Sequence, residues 1–155
     1  MDAGFAEPLY IEGLSESDRA QRVTAAPDFR VLRDRAGVHY FVRGVIEIPV
    51  AGAGDVFCYG VWTTLSAASY GQARAAYADN RAAGPFFGWL ANRVPGYATT
   101  LSLKTNVTVR PDLKPAIVLQ GSDHSLAREQ QIGITPRRLQ QIIEKVLHPD
   151  APASH

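Results

Sequence analysis

The stretch HYFVRGVIEIPV, residues 39–50, alternates without a break. Tyr40, Val42, Gly44, Ile46 and Ile48 fall on one side, and Phe41, Arg43, Val45 and Glu47 on the other. Successive side chains of an extended chain point to opposite faces, so a period of two with β-branched residues specifies a strand. A turn, AGAGD (51–55), and a second run, VFCYGVWTTLS (56–66), follow, so that 39–66 reads as a β-hairpin with a longer loop. LSLKTNVTVRP (101–111) alternates through Leu101, Leu103, Thr105, Val107 and Val109, and KPAIVLQ (114–120) follows a proline-containing turn as its partner. Strands adjacent in sequence and joined by tight connections favour antiparallel pairing, and the two hairpins can be joined through residues 67–100.

The remaining segments carry helical signals. SESDRAQRV (15–23) opens on Ser15, which can accept from an early helical N–H, with Glu16 and Asp18 at the positive end of the dipole. Ser66 can cap a helix over 67–83 whose apolar positions are mostly alanine and tyrosine. SDHSLAREQQIG (122–133) begins with capping residues, Asp123 among them, and ends in glycine. TPRRLQQIIEKVLH (135–148) has Thr135 as N-cap, Pro136 at the first helical position, and a stripe of Leu139, Ile142, Ile143, Val146 and Leu147. Helices that flank strands rather than alternate with them give an α+β fold: a mostly antiparallel sheet built from two hairpins, with helices packed on one face. The expected organisation is a flexible N-terminal segment (1–14), a single α+β domain (15–148) and a frayed tail, PDAPASH (149–155).

Bulk properties narrow the function classes. A chain of 155 residues is one ordinary domain, long enough to bury a core without covalent staples. A net charge of +1 with no basic cluster supplies no field for nucleic acid or an anionic membrane surface. One cysteine, Cys58, excludes a disulfide within the chain and a zinc site built on cysteines. No two of His39, His124, His148 and His155 stand at metal-ligand spacing, so no metal or other cofactor is expected. Neither a signal peptide nor a run of membrane-spanning length is visible, and a cytoplasmic location is the expectation.

The candidate site residues are polar groups set among aromatics. Arg43 and Glu47 share a strand face but lie roughly 13 Å apart along an extended chain, too far to pair directly. They read as the open face of an antiparallel sheet, or as an anion-binding position in which the planar guanidinium supplies donors. PFFGWLANRVPGY (85–97) holds Phe86, Phe87, Trp89 and Tyr97, with Asn92 and Arg93 bracketed by Pro85 and Pro95. It reads as an ordered loop, a type frequently functional, or as a short helical turn over 86–92. Trp62 and Trp89 fit a core or a ligand wall. His124 shares a helix face with Arg128, either on a solvated surface or at a pocket mouth as a proton shuttle.

FVRGVIEIPV, VFCYGVWTTLS, FFGWLANRVPGY, LSLKTNV and DHSLAREQQIGITPRR, in that order over 15–148, resemble a bacterial family catalogued as domain of unknown function 2199. The resemblance implies a small, single-domain, cytosolic bacterial protein and carries no assigned activity. Members look as though they begin with a CxxC-containing, zinc-ribbon-like segment that this chain lacks, and no zinc is expected here. The residues themselves point to a non-catalytic binding module for a protein partner or a small anionic ligand, through Arg43, Glu47, Trp62, Trp89, Asn92, Arg93 and His124. One alternative is a small metal-independent enzyme with His124 as acid/base and Arg43 as anion binder, which requires His124, Arg43 and Glu47 to converge. Another is a structural homo-oligomer, such as a homodimer, joined through the aromatic segment.

Overall fold

The alternating run of residues 39–50 belongs to the longest strand of the sheet. In chain order the elements are β1 (Asp2–Gly4), α1 (Leu9–Glu12), α2 (Glu16–Arg22), β2 (Val23–Ala26), β3 (Phe29–Asp34), β4 (Gly37–Val50), β5 (Asp55–Leu65), α3 (Ala67–Ala78), β6 (Ala83–Trp89), β7 (Lys104–Val109), β8 (Ala116–Leu119), α4 (Ser125–Ile132) and α5 (Pro136–Leu147). The structure, a computed structural model, describes residues 2–52, 54–121 and 123–148. The expected tail, 149–155, lies outside the described residues. No helix among them is long and apolar enough to cross a membrane.

The first hairpin pairs β4 with β5 from Tyr40–Leu65 to Val50–Asp55. The second pairs β7 with β8 from Thr105–Leu119 to Thr108–Ala116. The fold is α+β, but the sheet is mixed, not mostly antiparallel. Strand order is β1-β5-β4-β8-β7-β6, with β2 and β3 attached to the N-terminal half of β4. β1 runs parallel to β5, and β8 runs parallel to β4 at Val45–Ala116. Local alternation defines strands but not their neighbours, and both parallel contacts join segments distant in sequence. Gly44 makes the β4–β8 approach possible, since a Cβ there would stand 2.5 Å from Pro115 O. The end of β6 returns to β5 through the Thr63–Leu90 bridge and the Ala91 N–H to Trp62 O bond, 2.8 Å. β4, β5, β6, β7 and β8 therefore close on themselves.

The even-numbered side of β4 fills the main core. Val42, Ile46 and Ile48 are fully buried and join Phe57, Tyr59 and Val61 of β5, Val107 and Ile117. α3, α4 and α5 supply Ala73, Ala76, Leu126, Ala127 and Ile142 to the same cluster. Ser15, Ser66 and Thr135 cap α2, α3 and α5, each accepting an N–H at 3.1 Å. At α4 the cap is His124, whose Nδ1 accepts from Leu126 N–H at 3.1 Å, and not Asp123. α3 stops at Ala78, short of the expected 83, because Asn80 takes a left-handed φ of 52° and the chain turns into β6. In α5, Ile142 is buried while Leu147 faces solvent.

The N-terminal residues also have a place in the sheet. β1 adds to the edge of β5, and α1 lies on the face of β4 and β5 opposite the main core. Fully buried Ile11 packs there with Leu32, Phe41, Trp62 and Ala91 in a second, smaller cluster. One helix thus sits on the face that the other core helices leave.

Candidate functional site

Arg43 and Glu47 are on the odd-numbered side of β4, away from the main core. Register puts Arg43 opposite Trp62 and Glu47 opposite Cys58. Residues 5–12 cross this face as a strap. Phe5 O accepts both Arg43 Nε at 2.9 Å and Trp62 Nε1 at 3.1 Å. Glu7 O accepts Asn92 Nδ2 at 3.0 Å, and Leu9 N–H donates to Ala91 O at 2.8 Å. The Glu7 carboxylate receives Arg30 at 2.9 Å and Arg19 at 3.3 Å, and the Arg30 guanidinium sits 4.8 Å over the Trp62 ring. Three of the expected recognition residues, Arg43, Trp62 and Asn92, therefore touch the chain's own N-terminal segment.

Their remaining capacity differs. Trp62 is 1% exposed and its one ring donor is used. Asn92 is 1% exposed, and its Oδ1 also accepts Trp62 N–H at 2.7 Å. Arg43 is only partly covered, and its two Nη groups have no partner among the described residues. Its guanidinium lies against glycine backbone: a Cβ at Gly60 would stand 2.8 Å from Nη2, and one at Gly4 3.0 Å. In front is a hollow of about 320 Å³ lined by Arg43, Glu47, Cys58, Gly60, Arg110 and Lys114, among others. Arg110 binds Glu47 at 3.0 Å and the Lys114 carbonyl at 2.7 Å. Lys114 Nζ reaches Asp28 Oδ2 at 2.6 Å. The two cations beside Arg43 are thus each paired already.

The aromatic segment is neither a loop nor a helical turn over its first half. It is β6 followed by a connection to β7, with a register shift between Ala83 and Phe86 that absorbs Gly84 and Pro85. Phe86 and Leu90 point into the core, while Phe87 and Trp89 are 44% and 43% exposed and meet edge to face at 5.1 Å. Trp89 does not reach the Arg43 hollow. It lines a second cleft, of about 560 Å³, on the far side of the strap with Tyr10, Phe41, Asp34, His39 and Thr64. Of that cleft the sequence reading identified Trp89 alone. Asp34 and His39 come together because β3 and β4 form a tight hairpin with Leu32 opposite His39, a pairing that no motif in the sequence announces.

His124 stands on the helix side of the sheet, as the cap of α4, whose Leu126 and Ala127 lie in the main core. Its Nε2 is engaged by Ala98 O. Arg43 faces the other way, so the structure does not bring His124 together with Arg43 and Glu47. Arg93 is exposed and lines neither hollow. The end of the aromatic segment is a clamp: Tyr97 donates its hydroxyl to Glu129, which also takes Arg138 Nε at 2.8 Å, and Arg138 bonds Gly96 O at 2.8 Å. Burial, first, and then Glu129 push the Tyr97 phenol well above its ordinary pKa.

Comparison with known families completes this picture. The model of the family described as an uncharacterized protein conserved in bacteria, DUF2199, matches residues 1–134, and the chain belongs to that family. No curated protein and no solved structure matches the chain.

Proposed function

We propose that this DUF2199 chain is a non-catalytic binding module and that it holds a small anionic ligand, a carboxylate, in the Arg43 hollow. The supporting observation is a guanidinium fixed at one edge and unpaired at the other. Nε is tied to Phe5 O, and the guanidinium lies against the Gly4 and Gly60 backbone. The two Nη groups have no partner among the described residues and border an open space. A planar fork of donors suits a carboxylate bidentately, and a side chain already held in place loses little freedom on binding. The hollow is small, which fits a ligand of a few non-hydrogen atoms rather than a large cofactor.

The test is an NMR titration of the protein with short mono- and dicarboxylates at constant ionic strength. Saturable shifts confined to β1, β4, β5 and the β7–β8 connection at residues 110–114 are expected. Arg43→Lys keeps the charge but loses the fork, and is expected to weaken binding by about tenfold or more, as for a charge-assisted hydrogen bond worth about 1.5–3 kcal/mol. Linear, unsaturated shifts, or equal affinity in the Lys variant, would remove the reading.

A further inference from the structure

We propose that the cleft between Tyr10, Phe41 and Trp89 is a second binding site, and that it takes a small organic cation of alkylammonium type. This goes beyond the carboxylate reading and does not rest on it. Tyr10 and Trp89 present exposed rings to one hollow, backed by buried Phe41, and at about 560 Å³ the hollow is of a size that accepts small molecules. Tyr10 and Phe41 stack at 6.0 Å with planes 29° apart. Trp89, across the cleft, is steadied by its edge contact to Phe87 at 5.1 Å. Tyr10 and Trp89 keep 46% and 43% of their surface in water, at positions where the fold leaves them uncovered.

The chemistry of the lining selects the charge of the guest. Aromatic faces are negative, and a desolvated cation set against them is attracted. The cleft also holds one carboxylate, Asp34, and no lysine or arginine among its lining residues. Asp34 Oδ1 accepts His39 Nε2 at 3.0 Å and Ala36 N–H at 2.8 Å, so the acid is held in place by the β3–β4 hairpin. The His39 hydrogen bond, above all, holds its carboxyl below the ordinary aspartate range. An anion would meet the rings and Asp34 with no lysine or arginine in the lining beside it. A neutral guest would leave the carboxylate with only its hydrogen bonds to His39 and the hairpin backbone. Methyl groups around a quaternary nitrogen satisfy both features, since they pack on rings while the charge faces them.

Choline chloride is the probe, with sodium chloride at equal ionic strength as the salt control and 3,3-dimethylbutan-1-ol as the uncharged isostere. Titration of the full chain, read by the Trp89 indole N–H resonance and by tryptophan fluorescence, is expected to saturate. The isostere should bind about tenfold more weakly, as expected when a cation–π attraction is removed. Asp34→Asn should weaken choline by a similar factor, Trp89→Ala should abolish saturation, and Arg43→Lys should change nothing. Circular dichroism confirms folding of each variant, and Trp89→Leu substitutes if the alanine variant unfolds. Equal affinity for the uncharged isostere overturns the proposal, as does undiminished binding in a folded Trp89 variant. Saturation by a trimethyl-lysine peptide, with none by the free ion, overturns it too. Failure with choline leaves the carboxylate titration at Arg43 untouched.

Discussion

Asn92→Ala separates a recognition residue from a structural one. The Asn92 amide stands where the β5–β6 ladder would otherwise run out. Ala91 N–H reaches Trp62 O, and Asn92 Oδ1 takes the Trp62 N–H in return at 2.7 Å. Nδ2 then passes the connection on to Glu7 O, 85 residues away in sequence. Alanine leaves the Trp62 N–H buried without a partner and the Glu7 carbonyl partly so. A buried group left unsatisfied costs about 1–3 kcal/mol, and the half-covered carbonyl adds about 1 kcal/mol, which gives a loss of about 2–4 kcal/mol. For a chain of this size that lowers the melting temperature by about 5–15 °C.

Urea denaturation followed by circular dichroism measures this directly. The midpoint should fall while the slope stays constant, because the surface exposed on unfolding barely changes. Asn92→Asp keeps an acceptor for Trp62 but opposes a carboxylate to the Glu7 carbonyl, and should lose at least as much. Hydrogen exchange should show residues 5–12 opening first in either variant. Stability within about 0.5 kcal/mol of the parent, the range of an ordinary surface substitution, would refute the structural assignment and return Asn92 to a ligand-contacting role.

Two further outcomes follow from close packing and burial. Gly88→Ala should be severely destabilising, by about 3 kcal/mol or more, because its Cβ would stand 2.0 Å from Thr64 O and 2.6 Å from Thr63 Oγ1, so that β6 must separate from β5; a thermal melt matching the parent would contradict the β5–β6 closure. Stability should also fall at high pH. Burial pushes the Tyr59 phenol from 10.0 up to about 12. Below about pH 10 both folded and unfolded chains keep that proton; between the two values only the unfolded chain releases it, so stability declines as pH rises, by about 3 kcal/mol in all. Tyr97 shifts the same way. Tyr59→Phe should flatten the decline measured by urea midpoints from pH 9 to 12, and an unaltered slope in that variant would refute the assignment.

What was legible in the chain is what a local pattern can carry. Parity along 39–50 separates the Ile46 face from the Arg43 face, and the structure keeps that separation from Val42 to Val50. The caps at Ser15, Ser66 and Thr135 are equally local, each a hydroxyl three residues from its donor. β6 was hidden because Gly84, Pro85 and Gly88 look like loop residues. Their reasons are tertiary: the first two sit at a register shift, and Gly88 lets the Thr64 carbonyl approach. The mixed sheet was illegible for the same cause, since nothing near Ala116 says that its neighbour is Val45.

The candidate site divides along that line. That Arg43 and Glu47 share a face followed from parity alone, and the hollow that both line follows from the glycines that keep the surface low beside them. That Trp62 and Asn92 would be consumed by the strap could not be foreseen, because Phe5 and Glu7 lie 57 and 85 residues away. The strap converts one continuous aromatic and cationic face into two hollows of opposite character. On one side it leaves a guanidinium beside paired cations; on the other it contributes Tyr10 to three rings and a carboxylate. A segment that reads as loose sequence therefore sets which charge each hollow can accept, and any change that lifts it, Asn92→Ala included, should disturb both hollows at once.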